Sequence, residues 1–131
     1  WYEIGLELEA VDPEEARDAY RRALELDAQH ADAHVNLGRL LHEDGRAAEA
    51  ERHYRQALAA APGHATAAFN LGIALEDLRR PADAVDAYRT ALAADPRLAD
   101  AHYNLARLYE KQGKKAAALR HLSHYKQLTE P

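Results

Sequence analysis

The chain is predicted to be all-α, a right-handed solenoid of stacked antiparallel helix pairs, on three observations. Its apolar share is 47%, carried mainly by Ala and Leu, with one Phe, one Trp and 7% aromatics. That composition favours helices over strands. Small residues and tyrosines recur every 34 residues: Ala16, Ala50, Ala84 and Ala118, then Tyr20, Tyr54 and Tyr88, with Leu122 in the next slot. Each period also holds two stretches of helical apolar spacing separated by a breaker, the signature of stacked two-helix units.

The elements follow in order. In the first unit Asp12-Pro13-Glu14-Glu15 reads as an N-cap, a proline at the first helical position, and acids at the positive end of the helix dipole. In the second, Val35, Leu37, Leu40 and Leu41 form one apolar face that Gly45 interrupts. Ala50, Tyr54, Ala57 and Leu58 form another, ended by Ala61-Pro62-Gly63. The third unit places Pro81 at a helix start, and Leu71-Gly72 repeats Leu37-Gly38. In the fourth the same slots read Leu105-Ala106. Helices are predicted over 1–10, 13–27, 31–44, 47–60, 65–78, 81–94, 99–112 and 115–128, within a single domain of repeats 1–30, 31–64, 65–98 and 99–131. Small pairs such as Gly38 with Ala50 are expected to let the two helices of a unit approach closely.

The register resembles the tetratricopeptide repeat, a motif of about 34 residues with a W-x2-L-G-x2-Y…A-x3-F…P pattern. The chain reads Trp1-x2-Ile4-Gly5-x2-Leu8…Ala16-x3-Tyr20, then His34-x2-Leu37-Gly38-x2-Leu41…Ala50-x3-Tyr54…Pro62. It continues Ala68-x2-Leu71-Gly72-x2-Leu75…Ala84-x3-Tyr88…Pro96 and His102-x2-Leu105-Ala106-x2-Tyr109…Ala118-x3-Leu122. Four copies in register cover nearly the whole chain. Two departures stand out. The first unit's inter-helix turn is one residue short, and Tyr125 replaces the small residue of Ala23, Ala57 and Ala91. A bulky side chain there is expected to obstruct a following helix and mark the end of the array. The start at Trp1, the absence of Met and the clipped first helix are expected of a piece of a longer protein.

Composition narrows the function. With 17 basic and 22 acidic residues the net charge is −5, which disfavours direct contact with nucleic acid. No cysteine is present, so no disulfide, thiolate metal site or thiol nucleophile is expected, and a cytoplasmic location fits best. No apolar run approaches membrane-spanning length.

Catalysis is not expected. Ser123 is the only serine, the glycines sit at turns and helix contacts, and the carboxylates decorate helix surfaces. Nor is a metal or other cofactor expected from the eight histidines. His30 and His64 fall in equivalent junction slots, and His34 and His102 share the slot of Trp1, so a repeat's width separates each pair. His121 and His124 can face each other at i and i+3, but lack an obvious third ligand. All are expected to be solvated surface side chains.

Attention therefore passes to the concave wall that stacked leading helices make. By the resemblance, the wall includes Tyr2, Asn36, Arg39, Phe69, Asn70, Tyr103, Asn104, Arg107 and Lys111. Asn36, Asn70 and Asn104 form a ladder at 34-residue spacing, and a primary amide can both donate to and accept from a peptide backbone. It resembles the asparagine ladder of O-linked N-acetylglucosamine transferases. Fold support is the competing role for these amides. Tyr2, Phe69 and Tyr103 share one slot with Val35 and would offer a ligand apolar contacts or shield a helix seam. Val35, Phe69 and Tyr103, with Asp32 and Asp100, occupy slots where carboxylate-clamping members carry lysines, so an acidic chaperone tail is disfavoured. The wall carries eight acids (Glu3, Glu9, Asp32, Glu43, Glu76, Asp77, Asp100 and Glu110) against Arg39, Arg107 and Lys111.

The expected function is a protein-interaction module that binds a neutral or basic segment in its groove, without membrane or nucleic-acid contact. Two alternatives remain at this point. One is a self-association module, with homodimers formed through an N-terminal face exposing Trp1, Ile4 and Leu8. The other is the regulatory part of a larger bacterial regulator with an upstream DNA-binding domain.

Overall fold

Eight helices and no strand make up the computed structural model, which describes residues 1–131. They are α1 (Tyr2–Leu8), α2 (Pro13–Leu26), α3 (Ala31–Glu43), α4 (Ala47–Ala60), α5 (Ala65–Asp77), α6 (Pro81–Ala94), α7 (Ala99–Lys111) and α8 (Lys115–Thr129). Each odd helix packs on the even one after it, and α2, α4 and α6 then pack on the next leading helix, so the pairs stack as a solenoid. Both ends of all eight helices fall within two residues of the sequence expectation. No helix is long and apolar enough to cross a membrane.

Local chemistry starts and stops these helices. The Asp12 carboxylate accepts from the Glu15 N–H at 3.2 Å and caps α2, with Pro13 following. His30 and His64 cap α3 and α5: Nδ1 of each accepts from a backbone N–H three residues on, at 3.1 Å. Gly45 and Gly113, at φ +80° and +77°, turn the chain from the leading to the trailing helix. The same slot in the third unit holds Arg79 at φ +60°, a strained setting for a residue with a Cβ.

Within a unit the closest approach differs from the expected glycine–alanine pairing. Gly38 faces the Tyr54 ring, Gly72 the Tyr88 ring and Gly5 the Tyr20 ring. A methyl group on Gly38 would stand 2.7 Å from a Tyr54 ring carbon. The tyrosine fills the space that the missing Cβ leaves. Ala16, Ala50 and Ala84 are fully buried beside this contact, and one continuous apolar core runs through all four units. The fourth unit changes both members of the contact, to Ala106 and Leu122.

Two outcomes follow for stability. Ala84→Leu should overpack the third unit and cost about 1–3 kcal/mol, read as a lower midpoint in urea unfolding. Arg79→Gly should stabilise by up to about 1 kcal/mol, because relief of left-handed strain outweighs glycine's added unfolded-state entropy.

Candidate functional site: the concave wall and its junctions

The leading helices α1, α3, α5 and α7 carry the wall, and most of its polar groups are spent on holding repeats together. Between the first and second units, Glu9 accepts from the Tyr20 hydroxyl and pairs with Arg39. Asn36 Nδ2 donates to the Tyr2 hydroxyl at 3.3 Å and lies 3.5 Å from that of Tyr20. Between the third and fourth units the same set recurs. Glu76 accepts from the Tyr88 hydroxyl at 2.6 Å and from Arg107 Nη2 at 2.6 and 2.9 Å. Burial, and then the adjoining Glu9 or Glu76 carboxylate, pushes the Tyr20 and Tyr88 hydroxyls far above the usual tyrosine range. Asn36 and Arg39 oppose that shift at Tyr20, as Asn104 and Arg107 do at Tyr88. Charge-assisted bonds of this kind are short and strong, and in each set the glutamate joins the trailing-helix tyrosine of its own unit to an arginine of the next leading helix.

The central junction is built differently. His42 stands where Glu9 and Glu76 stand, and Ile73 where Arg39 and Arg107 stand. His42 Nε2 pairs with Asp77, and His64 Nε2 donates to Asp32 at 2.7 Å. Two imidazole–carboxylate contacts thus bridge α3 and α5, one near each end. Tyr54 is fully buried, and burial alone raises its hydroxyl pKa strongly, with Arg39 and Glu43 as opposed minor influences.

The sequence-predicted wall residues are distributed unevenly between these roles. Arg39 and Arg107 are both committed to carboxylates. Tyr2 is half-buried and stacks on His30, with ring centroids 4.6 Å apart. Phe69 is half-buried, 5.7 Å from the Tyr88 ring. Asn70 and Asn104 are half-buried, and Lys111 is exposed. Tyr103 is exposed, with Tyr125 folded against it at 5.2 Å between centroids.

Around Tyr103 lies a feature that spacing alone did not reveal. An open cavity of about 500 Å³ is floored by Ala106, Ala118, Leu119 and Leu122 and rimmed by Glu110 and Lys115. Leu122 occupies the slot of Tyr20, Tyr54 and Tyr88 without their reach or hydroxyl. Glu110 occupies the slot of Glu9 and Glu76 with neither a tyrosine nor an arginine bonded to it. The signal was present in the paired change to Ala106 and Leu122.

The histidine expectation needs correction. His34 and His102 are buried, and seven of the eight histidines, all but His124, make side-chain hydrogen bonds. His34 Nε2 donates to the Ala28 carbonyl at 2.9 Å, and its Nδ1 lies 3.1 Å from His53 Nδ1. His102 repeats this with the Pro96 carbonyl at 3.0 Å and His121 Nδ1 at 2.9 Å. A carbonyl only accepts, so with both rings neutral His34 receives its second bond from His53. These pairs share slots with Trp1 and Ala19 in the first unit and Ala68 and Ala87 in the third. By slot, a large residue on the leading helix is matched with a small one, a medium one with a medium one, or a small one with a small one. His121 and His124 do approach, at 6.4 Å between centroids, and His102 stacks on His124. No group of three ligating side chains in the structure has the geometry to hold a metal ion.

A tetratricopeptide-repeat signature matches residues 29–97, a second matches 69–128, and a TPR-repeat signature matches 12–45. The chain belongs to the tetratricopeptide repeat family. Members of this family are generally non-catalytic protein-interaction scaffolds, and the wall geometry is consistent with that role. Among solved structures, that of MamA is similar over 96% of this chain and 74% of its own, with a TM-score of 0.88 at 24% identity. MamA from residue 41 onward, from Desulfovibrio magneticus RS-1, matches over 97% of this chain and 72% of its own, with a TM-score of 0.84 at 23% identity. PilF of Pseudomonas aeruginosa matches over 98% of this chain and 59% of its own, with a TM-score of 0.89 at 22% identity. These likenesses share the helical solenoid. No curated protein sequence matches the chain.

The histidine pairs generate a pH prediction. Burial, followed by the nearby His34, Arg52 and Arg21, pushes the His53 pKa down to about 4. Burial and the nearby His102, His124, Arg120 and Arg89 shift His121 in the same direction. Unfolded, such histidines titrate near about 6.5. Between about 6.5 and 4 the unfolded chain therefore binds more protons, and stability should fall as pH drops through that window. Thermal unfolding at stepped pH should show this fall. His34→Ala/His53→Ala, which copies Ala68 and Ala87, should reduce it.

Proposed function

We propose that the tetratricopeptide scaffold binds an extended or helical segment of a protein partner along its concave wall, and that the segment is neutral or basic. The observation that carries the charge preference is the commitment of Arg39 and Arg107 to Glu9 and Glu76. With both guanidiniums engaged, Glu3, Asp100 and Glu110 leave the wall with an acidic excess, while Lys111 remains exposed near its C-terminal end. Such a field raises the encounter rate with a basic segment, and added salt weakens it.

Asn36, Asn70 and Asn104 grip the segment's backbone in this reading. Asn36 has its amide N–H groups directed at tyrosine hydroxyls, which leaves its carbonyl oxygen to accept from a ligand. Phe69 and Tyr103 provide apolar contacts, Tyr103 being the more exposed. Exchange of all three asparagines for Ala should keep the helical circular-dichroism signal and weaken binding, each lost bond contributing about 0.5–1.5 kcal/mol. The test is selection from a peptide library, then titration of selected peptides against wild type and the triple variant. Acidic selected peptides, or equal affinity for both proteins, would overturn the groove reading.

A second reading has its own observation. Trp1 and Ile4 are about half exposed, as expected of an N-terminal association face, although Leu8 packs against the core instead. Self-association through this face is the alternative role.

A further inference from the structure

The large exposed hydrophobic side chains are concentrated at the two ends of the solenoid. Of the seven, Trp1, Ile4, Leu6 and Val11 lie at the N-terminal end and Tyr103 and Leu119 flank the C-terminal cavity; only Leu26 lies elsewhere. Leu6 is 46% exposed and Leu119 66% exposed. An ordinary surface scatters such residues singly, whereas clusters mark contact sites.

Charge is divided in the same way. Residues 1–15 contain six acids, Glu3, Glu7, Glu9, Asp12, Glu14 and Glu15, and no base. Residues 111–129 contain Lys111, Lys114, Lys115, Arg120 and Lys126, and no acid. Because the helix pairs stack in chain order, these segments lie at opposite ends of the array. The molecule is therefore acidic at its head and basic at its tail, each with exposed apolar side chains, although Arg22 lies over the Trp1 ring at the head and Glu110 rims the cavity at the tail.

We propose that this chain associates head to tail, the α1 edge of one copy seating on the C-terminal cavity of the next. The inference rests on the self-association reading and replaces a symmetric N-terminal dimer with a heterologous contact. A symmetric dimer would bring two acidic heads together, which like-charge repulsion opposes. Head-to-tail contact instead sets Glu3 and Glu7 against Lys114 and Lys115, while Ile4 and Leu6 cover Leu119 and the cavity floor. Tyr125, folded onto Tyr103, occupies the slot that alanine leaves open in earlier units. The second copy therefore enters beside Leu119 and does not dock as a fifth repeat would. A contact between two different faces leaves a free head and a free tail on every dimer, so assembly proceeds beyond two unless a ring closes.

The test is sedimentation velocity of the 131-residue chain across a concentration series at low and high salt. Species beyond the dimer are expected to grow with concentration and to shrink with salt. Leu6→Gln and Leu119→Gln remove apolar surface at exposed positions without changing charge, and circular dichroism should be unchanged. Each alone should weaken association about tenfold or more. Their equimolar mixture should form a one-to-one heterodimer and nothing larger, because only one intact head and one intact tail remain. Lys115→Glu should act as Leu119→Gln does. If Leu119→Gln and Lys115→Glu still dimerise while Leu6→Gln does not, the head-to-tail contact is wrong and a symmetric N-terminal dimer stands. A wild-type chain that stays monomeric throughout overturns both. Peptide binding by the groove, measured on Leu119→Gln, is independent of either result.

Discussion

The contact between a glycine of the leading helix and a tyrosine ring of the trailing helix governs the rest of the structure. With no Cβ at Gly5, Gly38 and Gly72, the rings of Tyr20, Tyr54 and Tyr88 lie flush against the leading backbone. That fixes the distance within each pair and sets where each tyrosine hydroxyl emerges. At two junctions the hydroxyl meets a glutamate, which also holds an arginine from the following helix. One packing constraint therefore sets both the spacing inside a repeat and the polar attachment between repeats. A buried tyrosine usually needs a partner for its hydroxyl, and here that requirement supplies the joint.

These joints have a period of two repeats. Arg39 and Arg107, His34 and His102, His53 and His121, and Arg52 and Arg120 are each separated by 68 residues, with Ile73, Ala68, Ala87 and Asp86 in the slots between them. The second and fourth units are thus closer to each other than to the third, and the solenoid is organised as two double repeats. The seam between them holds Ile73 and His42 where the other junctions hold arginine and glutamate. Its polar contacts to Asp32 and Asp77 depend on imidazoles, whereas the outer junctions use guanidiniums that stay charged at all accessible pH. In nearest-neighbour terms the array has two stiff joints and one chemically distinct joint at its middle.

The helices were legible because their signals are local and repeated four times. Gly45, Pro62 and Pro81 mark boundaries that any helical reading must respect. The junctions were harder to read, because each joins residues about thirty apart that belong to different repeats. Aligning Asn36 with Asn70 and Asn104 shows periodicity but not the tyrosine hydroxyls beside it. Arg39 and Arg107 looked like free groove cations for the same reason, as their carboxylate partners sit on the preceding unit. The histidines were misread because slot equivalence shows which residues cannot meet, whereas His34 with His53 and His102 with His121 meet across helices of one unit. Coupled changes between facing slots carried that information: Ala68 with Ala87 against His34 with His53, and Ala106 with Leu122 against Gly72 with Tyr88.

That last coupled change ties the governing contact to a cavity at the C-terminal end of the wall. Ala106 adds the methyl group that a tyrosine ring at position 122 could not accommodate, and Leu122 is small enough to accept it. The exchange preserves the helix pair, since Ala118 remains buried beside it. It also removes the hydroxyl that would have reached Glu110 and opens about 500 Å³ where the ring would have lain. In the first and third units the glycine–tyrosine contact brings the hydroxyl to Glu9 or Glu76, which also holds an arginine. In the fourth it is absent, so apolar floor and charged rim remain open together. The interaction that makes three units rigid therefore also determines, by its replacement in the fourth, where the molecule has binding capacity left.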